Sequence, residues 1–350
     1  MVPLMSIKSQ RVGLIGTGRV AEHYLSLRDQ MLTPFIDYEI CFDTNTEVLD
    51  NFSKKYLIPT ADSMEEIYKA DLDFVIIATP SGTHFEVARE LLLKGKNVLI
   101  EKPACLRVEE VQELINLSRK LNLNCLSIFQ NRFNLAVQEA LRLIKKNEIG
   151  DPTSFSLRLI WSRPQSYYQD EWHGKWKLDG GVTSQQAIHH LDCVNYILGI
   201  PKKVFAVARN SINHLEAEDT LVGTARLSSD ILGTFHFTTA ARPSDQEASL
   251  FIVGKKGSLK ISGIALNNLE IYDAVKESWT QIVFEEVTNG YGLGHAANLK
   301  AFIDGSQTGP LATLEESRSA LMLVDALYES VESGLEVEVR RSLSRSKLGL

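Results

Sequence analysis

A glycine-rich turn near the N-terminus limits the fold of this chain more than any other feature. The run from Gly16 to Ala21, which reads G-T-G-R-V-A, follows an apolar stretch that ends at Ile15. In a G-x-G-x-x-G/A pattern the first glycine permits a tight turn, the second lets the backbone approach a pyrophosphate, and the small last residue packs a helix against a strand. N–H groups at the start of that helix hold the phosphates. The sequence therefore predicts a strand, a turn and a helix that bind a dinucleotide.

Short apolar runs alternate with amphipathic segments of helical length from Arg11 to about Phe129. Such alternation is typical of a parallel sheet wound with helices. The predicted strands are Arg11 to Ile15, Tyr38 to Phe42, Phe74 to Ala78, Asn97 to Ile100 and Asn124 to Ile128. The predicted helices are Val20 to Gln30, Thr46 to Tyr56, Met64 to Lys69, His84 to Lys94 and Val108 to Leu121. We therefore expect an N-terminal α/β Rossmann domain with a parallel sheet over residues 1–130.

The pattern changes after a helical segment from Leu135 to Lys146, because strand-like runs then follow one another with short turns. These runs are Ser154 to Trp161, Lys203 to Arg209, Thr220 to Leu227, Ile231 to Thr239, Ala248 to Val253, Gly257 to Ile261, Leu269 to Tyr272 and Gln281 to Phe284. Further helices are expected at Gln185 to Leu198, Asn298 to Ile303 and Leu314 to Ser333. Residues 131–339 should thus form an α+β domain with a large, mainly antiparallel open sheet, and residues 340–350 a disordered tail.

Composition and charge narrow the range of partners. The 350 residues carry a net charge of -7, and no long basic run occurs outside the C-terminal stretch, so neither nucleic acid nor an anionic membrane is expected as a partner. The four cysteines are scattered and form no disulfide framework. The first ten residues lack the features of a signal peptide, and no apolar run is long enough to span a membrane. We therefore expect a cytoplasmic protein.

Polar residues follow the second and third predicted strands, at the sheet edge where ligands bind in such folds. Asp43 ends the second strand, where a carboxylate can bond ribose hydroxyls and repel a 2′-phosphate, so we expect NAD rather than NADP. The same residue could instead form a turn or cap the next helix. The expected cofactor contacts in these turns are Gly16, Thr17, Gly18, Arg19, Val20, Asp43, Thr79, Pro80, Ser81 and His84.

A lysine lies where the fourth predicted strand ends, in the tripeptide Glu101-Lys102-Pro103. Side chains beyond the carboxyl ends of parallel strands face bound ligand rather than bulk water. Burial beside a cationic nicotinamide ring would disfavour the ammonium form, which makes Lys102 a candidate proton-transfer group. The alternative is a solvated lysine before a proline that opens the next helix.

These motifs occur in the order typical of one oxidoreductase family. With Gly16 to Ala21, the Thr79-Pro80 turn with His84, and Glu101-Lys102-Pro103, the chain resembles the glucose-fructose oxidoreductase, inositol dehydrogenase and rhizopine-catabolism family. The resemblance covers nearly the whole chain and implies an NAD-dependent dehydrogenase that acts on CH–OH groups. It also implies that Glu101, Lys102 and Gln130 contact the cofactor.

A second-domain segment of this family usually reads Asp-x-x-x-His-x-x-Asp. His189 and Asp192 fit its later positions, whereas Gln185 takes the place of the first Asp. The resemblance identifies Lys102 and His189 as the catalytic residues. Because an unperturbed histidine has a pKa of about 6.5 and a lysine one of about 10.4, His189 is favoured as the base and Lys102 as the hydrogen-bonding partner of the substrate oxygen. The reverse assignment stays open, as does a purely structural role for His189.

Several longer segments resemble bacterial nucleotide-sugar 3-dehydrogenases. They are the runs Gln130 to Asn134 and Trp161 to Gln165, the pair Tyr167 and Tyr168, Trp176, and Asp179 to Gly181. Those enzymes oxidise C3 of UDP-N-acetylglucosamine or of its C6-oxidised acid, UDP-2-acetamido-2-deoxy-D-glucuronate. The resemblance implies such a substrate, with the acid favoured, in the synthesis of cell-surface polysaccharide precursors such as lipopolysaccharide. It further implies a homo-oligomer, either a dimer or a tetramer, and a keto acid that reoxidises NADH in place.

The candidate substrate contacts combine charge and aromatic surface. Arg163 offers planar, bidentate recognition of a phosphate, and Tyr168 can stack on the uracil or the sugar. The full expected set is Lys102, Arg132, Asn134, Arg163, Gln165, Tyr168, Gln185 and His189. The alternative for the segment from Trp161 to Trp176 is an oligomer interface, where arginine and aromatic residues are also enriched.

Two other functions stay open. One is a free sugar or inositol dehydrogenase of the same family, which Gln185 and the Arg163 segment disfavour. The other is an NAD-dependent sensor or regulator without chemistry, which the retention of Lys102 and His189 disfavours. No metal site is expected, because the cluster of His173, His189, His190, Asp192 and Cys193 lacks a third suitably spaced ligand for a helical pair.

Overall fold

A computed structural model describes residues 9–27, 35–227, 230–273, 275, 277–284, 291–292, 294–305, 309–340 and 343–350. The strands are β1 (Gln10–Ile15), β2 (Ile36–Phe42), β3 (Phe74–Ile77), β4 (Val98–Ile100), β5 (Cys125–Ser127), β6 (Pro152–Ile160), β7 (Pro201–Arg209), β8 (Thr220–Leu227), β9 (Leu232–Thr238), β10 (Glu247–Gly254), β11 (Gly257–Ser262), β12 (Asn268–Asp273), β13 (Ser278–Val283), β14 (Ala312–Thr313) and β15 (Val337–Glu338). The α-helices are α1 (Arg19–Leu27), α2 (Thr46–Tyr56), α3 (Met64–Lys69), α4 (His84–Leu93), α5 (Val108–Leu121), α6 (Leu135–Lys145), α7 (Val182–Gln185), α8 (Ile188–Leu198), α9 (Gly294–Ile303) and α10 (Leu314–Ser333).

The N-terminal sheet has the strand order β14-β5-β4-β3-β1-β2, and β1 to β5 run parallel. Every residue of β3 and β4 is buried, as expected of parallel strands that are covered by helices on both faces. The prediction of a Rossmann domain with a parallel sheet is confirmed. The expected first helix extended to Gln30, but residues 28–30 lie outside the described residues.

The second sheet has the strand order β13-β12-β11-β10-β6-β9-β8-β7-β15. Neighbouring strands are antiparallel except for β6 and β9, so the prediction of a large, mainly antiparallel sheet is confirmed. The alternation along β8 places Leu221 and Ala225 in the core and Val222 and Thr224 on the outer face. Helix α10 packs on the inner face, and α8 packs between α10 and α6.

Residues 294–305 and 309–313 return to the first domain, which a single boundary after residue 130 does not anticipate. Strand β14 pairs with β5 at the edge of the parallel sheet. On α9, Ala296 and Leu299 belong to the same buried cluster as Val12 and Leu14 of β1. The reason is packing, because this face of the first sheet is completed by apolar residues from the far end of the chain.

The predicted helix from Gln185 to Leu198 is wrong in its first turns. The short helix α7 ends at Gln185, and the chain bends before α8 begins at Ile188. At the bend the carbonyl of Gln185 accepts a hydrogen bond from Lys102 Nζ at 2.7 Å. An interdomain contact thus satisfies a carbonyl group at the end of α7.

The expectation of a disordered tail is wrong for residues 343–350. The guanidinium of Arg107 donates to the carbonyl oxygens of Ser344, Ser346 and Leu348 at 3.1 to 3.2 Å. The Leu348 side chain is fully buried, and the Ser346 hydroxyl donates to Asp325 at 2.6 Å. Polar composition predicted solvation here, but backbone carbonyls and one leucine bind this segment to α5 and α10.

None of the described helices is both long and apolar enough to cross a membrane.

Candidate active site

Three hydrogen-bonding contacts join the carboxyl ends of the parallel strands to the second domain. They are Arg19 Nη2 to His173 Nε2 at 3.1 Å, the Gly82 N–H to the Leu178 carbonyl at 2.9 Å, and Lys102 Nζ to the Gln185 carbonyl at 2.7 Å. The first-domain residues follow β1, β3 and β4. The cofactor turn and the second domain therefore share one cleft.

The glycine-rich turn has the shape that a dinucleotide needs. Gly16 has a φ of +89°, and a Cβ there would come within 2.5 Å of the Ala78 carbonyl oxygen. Among the described residues, no heavy atom outside the turn itself lies within 4 Å of the position that a Cβ would take at Gly18. That open space beside the start of α1 fits a pyrophosphate approached by backbone N–H groups. The residues expected to hold it are Gly16, Thr17, Gly18, Arg19 and Val20.

Asp43 lies beside this turn. Its Oδ2 accepts hydrogen bonds from the Thr17 N–H at 2.8 Å and the Thr17 hydroxyl at 3.1 Å, and its Oδ1 accepts from the Asn45 N–H at 2.9 Å. The side chain that caps α2 is Asn45, not Asp43, because Asn45 Oδ1 accepts from the N–H groups of Glu47 and Val48. Asp43 thus stabilises a turn, and the hydrogen bonds from Thr17 fix its own carboxylate beside the cofactor loop. Its contact with a ribose stays a prediction.

The turn after β3 is closed by its own side chains. The Thr83 hydroxyl donates to the Pro80 carbonyl and lies 2.7 Å from the Thr79 hydroxyl, so it does not cap α4. Ser81 is buried in the same turn. The exposed sides of Thr79 and Pro80 stay candidates for cofactor contact.

His84 has a different place from the one predicted. Its Nδ1 lies 2.8 Å from the Pro103 carbonyl oxygen and its Nε2 lies 2.8 Å from the Thr79 carbonyl oxygen. Burial lowers the pKa of His84, although the two carbonyl contacts act in the opposite direction. Because protein atoms face both ring nitrogens, His84 ties the Thr79 turn to the Lys102 segment and offers no nitrogen to a cofactor.

Glu101 also has mainly protein partners. Its carboxylate accepts hydrogen bonds from Tyr24 and from the Lys102 N–H, and Oε1 lies 3.6 Å from His295 Nε2. Burial by itself raises the pKa of Glu101, but the contacts with His295, Tyr24 and Lys102 outweigh it and hold the pKa below the usual value. Glu101 therefore links β4 to α1 and α9 beneath the cleft.

Lys102 is partly buried, and its side chain forms one hydrogen bond with the second domain. Its Nζ donates to the backbone carbonyl of Gln185, so position 185 meets the lysine through its main chain rather than through its side chain. Burial lowers the pKa of Lys102, and the negative charges of Glu101 and Asp179 oppose that effect. The cleft therefore weakens the preference of Lys102 for the ammonium form.

His189 projects from α8 toward the same cleft. Its Nε2 lies 3.4 Å from the Gln130 side-chain amide, and its Nδ1 is buried without a hydrogen-bond partner among the described residues. Burial, followed by the positive charge of Lys102, holds the pKa of His189 well below its usual value. The ring is therefore neutral and has a lone pair for a proton, although burial and the charge of Lys102 make it a weaker base than a free imidazole.

Arg19 of the cofactor turn contacts an aromatic cluster of the second domain. Its guanidinium carbon lies 4.8 Å from the ring centroid of Tyr167, and its Nη2 contacts His173. His173 contacts Asp170 through Nδ1 and stacks on Trp172 with centroids 3.6 Å apart. Residues 167–173 thus form one wall of the cleft directly over the cofactor turn.

The predicted substrate contact at Arg132 is wrong, because this side chain is only 2% exposed and fully engaged. It forms a bidentate pair with Asp192 at 2.7 and 2.6 Å, and its Nη1 lies 3.0 Å from Glu316 Oε1. Its guanidinium also lies 4.7 Å from the Tyr196 ring centroid. Arg132 joins the end of the first domain to α8 and α10.

Asn134 and Gln165 are also bonded to the protein instead of being available to a ligand. The buried Asn134 amide donates to the Ala265 carbonyl. Gln165 donates to the His214 carbonyl at 3.1 Å and accepts from the His214 N–H at 2.7 Å. Both predictions missed these backbone partners, which are 131 and 49 residues away in the sequence.

Arg163 and Tyr168 lie on the wall of the cleft but also have partners. Arg163 Nη1 lies 3.0 Å from Asp245 Oδ1 and donates to the Ser162 carbonyl, and its guanidinium lies 5.0 Å from the Trp161 ring centroid. The Tyr168 hydroxyl contacts the Thr239 hydroxyl at 2.7 Å. Tyr168 also lines a cavity of about 430 Å³ with His173, Lys175, Asn210 and His214. Their substrate contacts stay predictions.

Sequence reasoning missed the groups that surround the catalytic lysine. Asp179 is 1% exposed and its negative charge acts on Lys102, while His295 and Tyr24 support Glu101. The only local signal was the Asp179-Gly180-Gly181 sequence, whose paired glycines indicate a tight turn.

Among the described residues, no group of three or more His, Cys, Asp or Glu side chains is arranged to hold a metal ion.

A dinucleotide turn with a lysine and a neutral histidine at the carboxyl ends of a parallel sheet defines a nicotinamide-dependent dehydrogenase. Residues 10–129 match the model for the NAD-binding Rossmann fold of an oxidoreductase family, and residues 142–339 match the model for its C-terminal alpha/beta domain. The chain belongs to this family, that of glucose-fructose oxidoreductase, inositol dehydrogenase and the rhizopine-catabolism proteins (Gfo/Idh/MocA). It is an NAD-dependent oxidoreductase that acts on CH–OH groups.

Several characterised proteins are similar over nearly their whole length. The WlbA dehydrogenase from Bordetella pertussis, in a crystal structure with NADH and UDP-GlcNAcA, is 27% identical with a TM-score of 0.83, covering 94% of this chain and 98% of its own. Myo-inositol 2-dehydrogenase from Thermotoga maritima is 25% identical over 340 residues, which are 94% of this chain and 98% of the relative. D-glucoside 3-dehydrogenase from Escherichia coli is 25% identical over 367 aligned positions, covering 97% of this chain and all of the relative.

Proposed function

We propose that this enzyme oxidises the C3 hydroxyl of a UDP-linked N-acetylated sugar to a 3-keto sugar, with UDP-2-acetamido-2-deoxy-D-glucuronate favoured over UDP-N-acetylglucosamine. The observation that carries the proposal is the similarity to the WlbA dehydrogenase that was crystallised with UDP-GlcNAcA, which extends over 94% of this chain. The site supports it, since the aromatic and basic segment 161–173 contacts Arg19 of the cofactor turn and its His173 feels the charge of Lys102. The product would serve the synthesis of cell-surface polysaccharide precursors, including lipopolysaccharide.

Two residues divide the proton chemistry between them. NAD+, when bound, supplies the hydride acceptor. His189 accepts the proton of the C3 hydroxyl on its neutral imidazole ring. Lys102 donates a hydrogen bond from Nζ to the C3 oxygen while the Gln185 carbonyl holds the amine in place. Thr17 and Asp43 position the cofactor loop from the opposite side.

Turnover assays with purified enzyme and NAD+ test this function. We expect NADH absorbance to rise with either UDP-sugar and faster with the C6 acid, and a 3-keto product by mass spectrometry. Lys102→Met and His189→Gln should each lower kcat by about 100-fold to 10,000-fold while NADH binding persists. No turnover with either UDP-sugar, by enzyme that binds NADH, would rule out the proposed substrate. Turnover of free myo-inositol or a glucoside instead would establish the uncharged sugars as substrates.

A keto acid is proposed as the partner that regenerates NAD+ in place. The reaction closes a cycle only if the hydride carrier is reoxidised before each new turnover, and an α-keto acid can accept hydride at its carbonyl carbon in the same cleft. Addition of a keto acid to enzyme that holds NADH should lower the NADH absorbance and form the hydroxy acid. Unchanged absorbance would show that reoxidation takes place elsewhere.

We further propose that the enzyme forms a dimer or tetramer through the outer face of the second sheet. This face carries exposed apolar side chains. Val207 on β7 is 58% exposed, and Val222, which pairs with it on β8, is 47% exposed. Phe205, Leu232 and Trp279 extend the exposed apolar surface. The exposed apolar pair on β7 and β8 supports a protein contact at this face.

A further inference from the structure

The second-domain segment from Lys175 to the end of α7 acts on the amine of Lys102 through a carbonyl group and through a charge. At its far end the Gln185 carbonyl accepts from Nζ at 2.7 Å. At its near end lies Asp179, a carboxylate that is 1% exposed and whose charge acts on Lys102. Lys102 is therefore hydrogen-bonded to a neutral acceptor and feels the charge of an acid, both of which belong to the second domain.

The position of Asp179 is set by hydrogen bonds of its own turn. Its Oδ2 accepts from the Gly174 N–H at 3.0 Å, and its backbone carbonyl accepts from the Ser184 hydroxyl at 2.5 Å. The Gly82 N–H donates to the Leu178 carbonyl at 2.9 Å, which presses the preceding residue against the loop after β3. The carboxylate cannot move away from Lys102 without breaking these contacts.

The other carboxylate oxygen has no partner within the described residues. Asp179 Oδ1 is buried and accepts no hydrogen bond there. A buried acceptor without a donor costs about 1–3 kcal/mol, and more when it is charged, so such an atom calls for a functional reason. The nearby positive charge of Lys102 supplies one.

We propose that Asp179 is a positioning residue that acts through Lys102: it is the countercharge that the second domain provides for the lysine amine. The pair holds one proton in total and is neutral as a whole, whichever partner carries that proton. Lys102 can then take or give a hydrogen bond to the substrate oxygen without placing a net positive charge beside the cofactor ring. The inference rests on the proposed role of Lys102, but not on the identity of the sugar.

The ionisation of the pair supports this geometry. Burial lowers the pKa of Lys102 and raises that of Asp179 well above its usual value, and the charge of each partner opposes the effect of burial on the other. Other groups also face the pair. Glu101 acts on Lys102 from β4, and the histidines His173, His189 and His190 respond to its charge.

Asp179 in turn faces two acids and two phenols. Asp170 and Glu218 raise the pKa of Asp179 by their negative charges. The negative charge of Asp179 raises the pKa values of Tyr167 and Tyr168, on which burial has the larger effect. Among these groups Lys102 is the cation that acts on Asp179, so removal of the carboxylate should register first at the lysine amine.

A test that needs no substrate is the pH dependence of Lys102 labelling. The substrate-free enzyme would be treated with trace acetic anhydride at a series of pH values, and acetylation of Lys102 followed by mass spectrometry. In Asp179→Asn, loss of the negative charge should lower the midpoint of the labelling curve by about one pH unit or more. An unchanged midpoint in folded Asp179→Asn would overturn the proposal, whereas failure of the proposed substrate would not affect this result.

A matched control is Ser184→Ala, which loosens the same turn without changing any charge, and which should leave the midpoint where it is in the wild type. An equal displacement in both variants would show that Asp179 acts only through the shape of the turn. If Asp179→Asn does not fold, 13C NMR of aspartate-labelled Lys102→Met gives the converse measurement. Loss of the lysine charge should move the Asp179 carboxyl titration to higher pH, and an unmoved titration would overturn the proposal.

Discussion

Buried charges in this protein have specific partners, and the partners show which residues hold the fold and which face the cleft. Arg132 and Asp192 are both buried and form a bidentate pair, with Glu316 as a second partner of the guanidinium. Burial raises the pKa of Asp192, and the Arg132 charge opposes that effect. Lys102, in contrast, has a backbone carbonyl and a distant countercharge, which leaves its amine able to act on a ligand.

At this scale, Arg132→Met should lower the free energy of unfolding by about 3–5 kcal/mol, because it leaves the Asp192 carboxylate buried without its partner. Urea denaturation measures the change. The double variant Arg132→Met/Asp192→Leu should recover most of the loss, and Arg142→Met, which removes an exposed pair with Glu139, should leave stability nearly unchanged. A stable Arg132→Met enzyme whose only defect is a raised KM would restore the role of substrate contact.

Among the elements, the short helix α7 is held in place by the buried carboxyl group of Glu218. Glu218 Oε1 accepts from the Thr183 N–H at 2.9 Å and from the Tyr328 hydroxyl at 3.0 Å, which anchors the start of α7 to α10. Burial raises the pKa of Glu218 from 4.5 to about 7, although the hydrogen bonds from Thr183 and Tyr328 oppose it. The ionisation of Glu218 therefore bears on the element whose last carbonyl holds Lys102.

This raised pKa predicts the sign of a pH effect on stability. Between about pH 4.5 and 7 the folded state binds more protons than the unfolded state, so stability should fall as pH rises through that window, by about 3 kcal/mol. Glu218→Gln, which stays neutral, should lack this loss and be more stable than the wild type above neutral pH. Urea denaturation across the pH range measures it. Glu216→Gln, at an exposed position nearby, should keep the wild-type dependence, and an identical curve for Glu218→Gln would refute the assignment.

For the whole molecule, the two sheets differ in what covers them. Helices lie on both faces of the parallel sheet, whereas the outer face of the antiparallel sheet carries exposed apolar side chains on β7 and β8. The active-site cleft lies between the domains, where Lys102 and Arg19 of the first domain meet residues of the second. The open face is thus separate from the residues that carry the chemistry.

Sedimentation of the intact protein should therefore give a mass that is two or four times 39.1 kDa. Val207→Glu and Val222→Glu, which add charge at the centre of the exposed face, should lower the mass toward that of the single chain while NADH binding persists. Val48→Glu makes the same change on α2 of the first domain and should not alter the mass. A wild-type protein that sediments as a single chain at micromolar concentration would refute the proposed interface.

Most of the regular structure could be predicted because its signals are local. The bounds of α2, α3 and α5 match the predicted ones, since the pattern of apolar and polar residues that marks them lies within or directly beside each segment. The turn at Gly16 could be predicted for the same reason, because the glycine pattern is contiguous and its φ of +89° is one that glycine adopts readily. Where a partner comes from a distant segment, as for the tail at Arg107, prediction failed.

The amino-acid sequence by itself determined the class of the enzyme: the dinucleotide turn, the lysine after β4 and the order of the strands are encoded in short segments whose physical meaning needs no tertiary contact. Only the tertiary structure decided which polar residues are free to meet a ligand. Arg132, Asn134, Gln165 and His84 all have the chemistry of binding residues, yet each is bonded to a part of the protein that the sequence does not place beside it. The physical reason is that a polar side chain binds whatever donor or acceptor folding brings within reach, and burial makes that pairing obligatory.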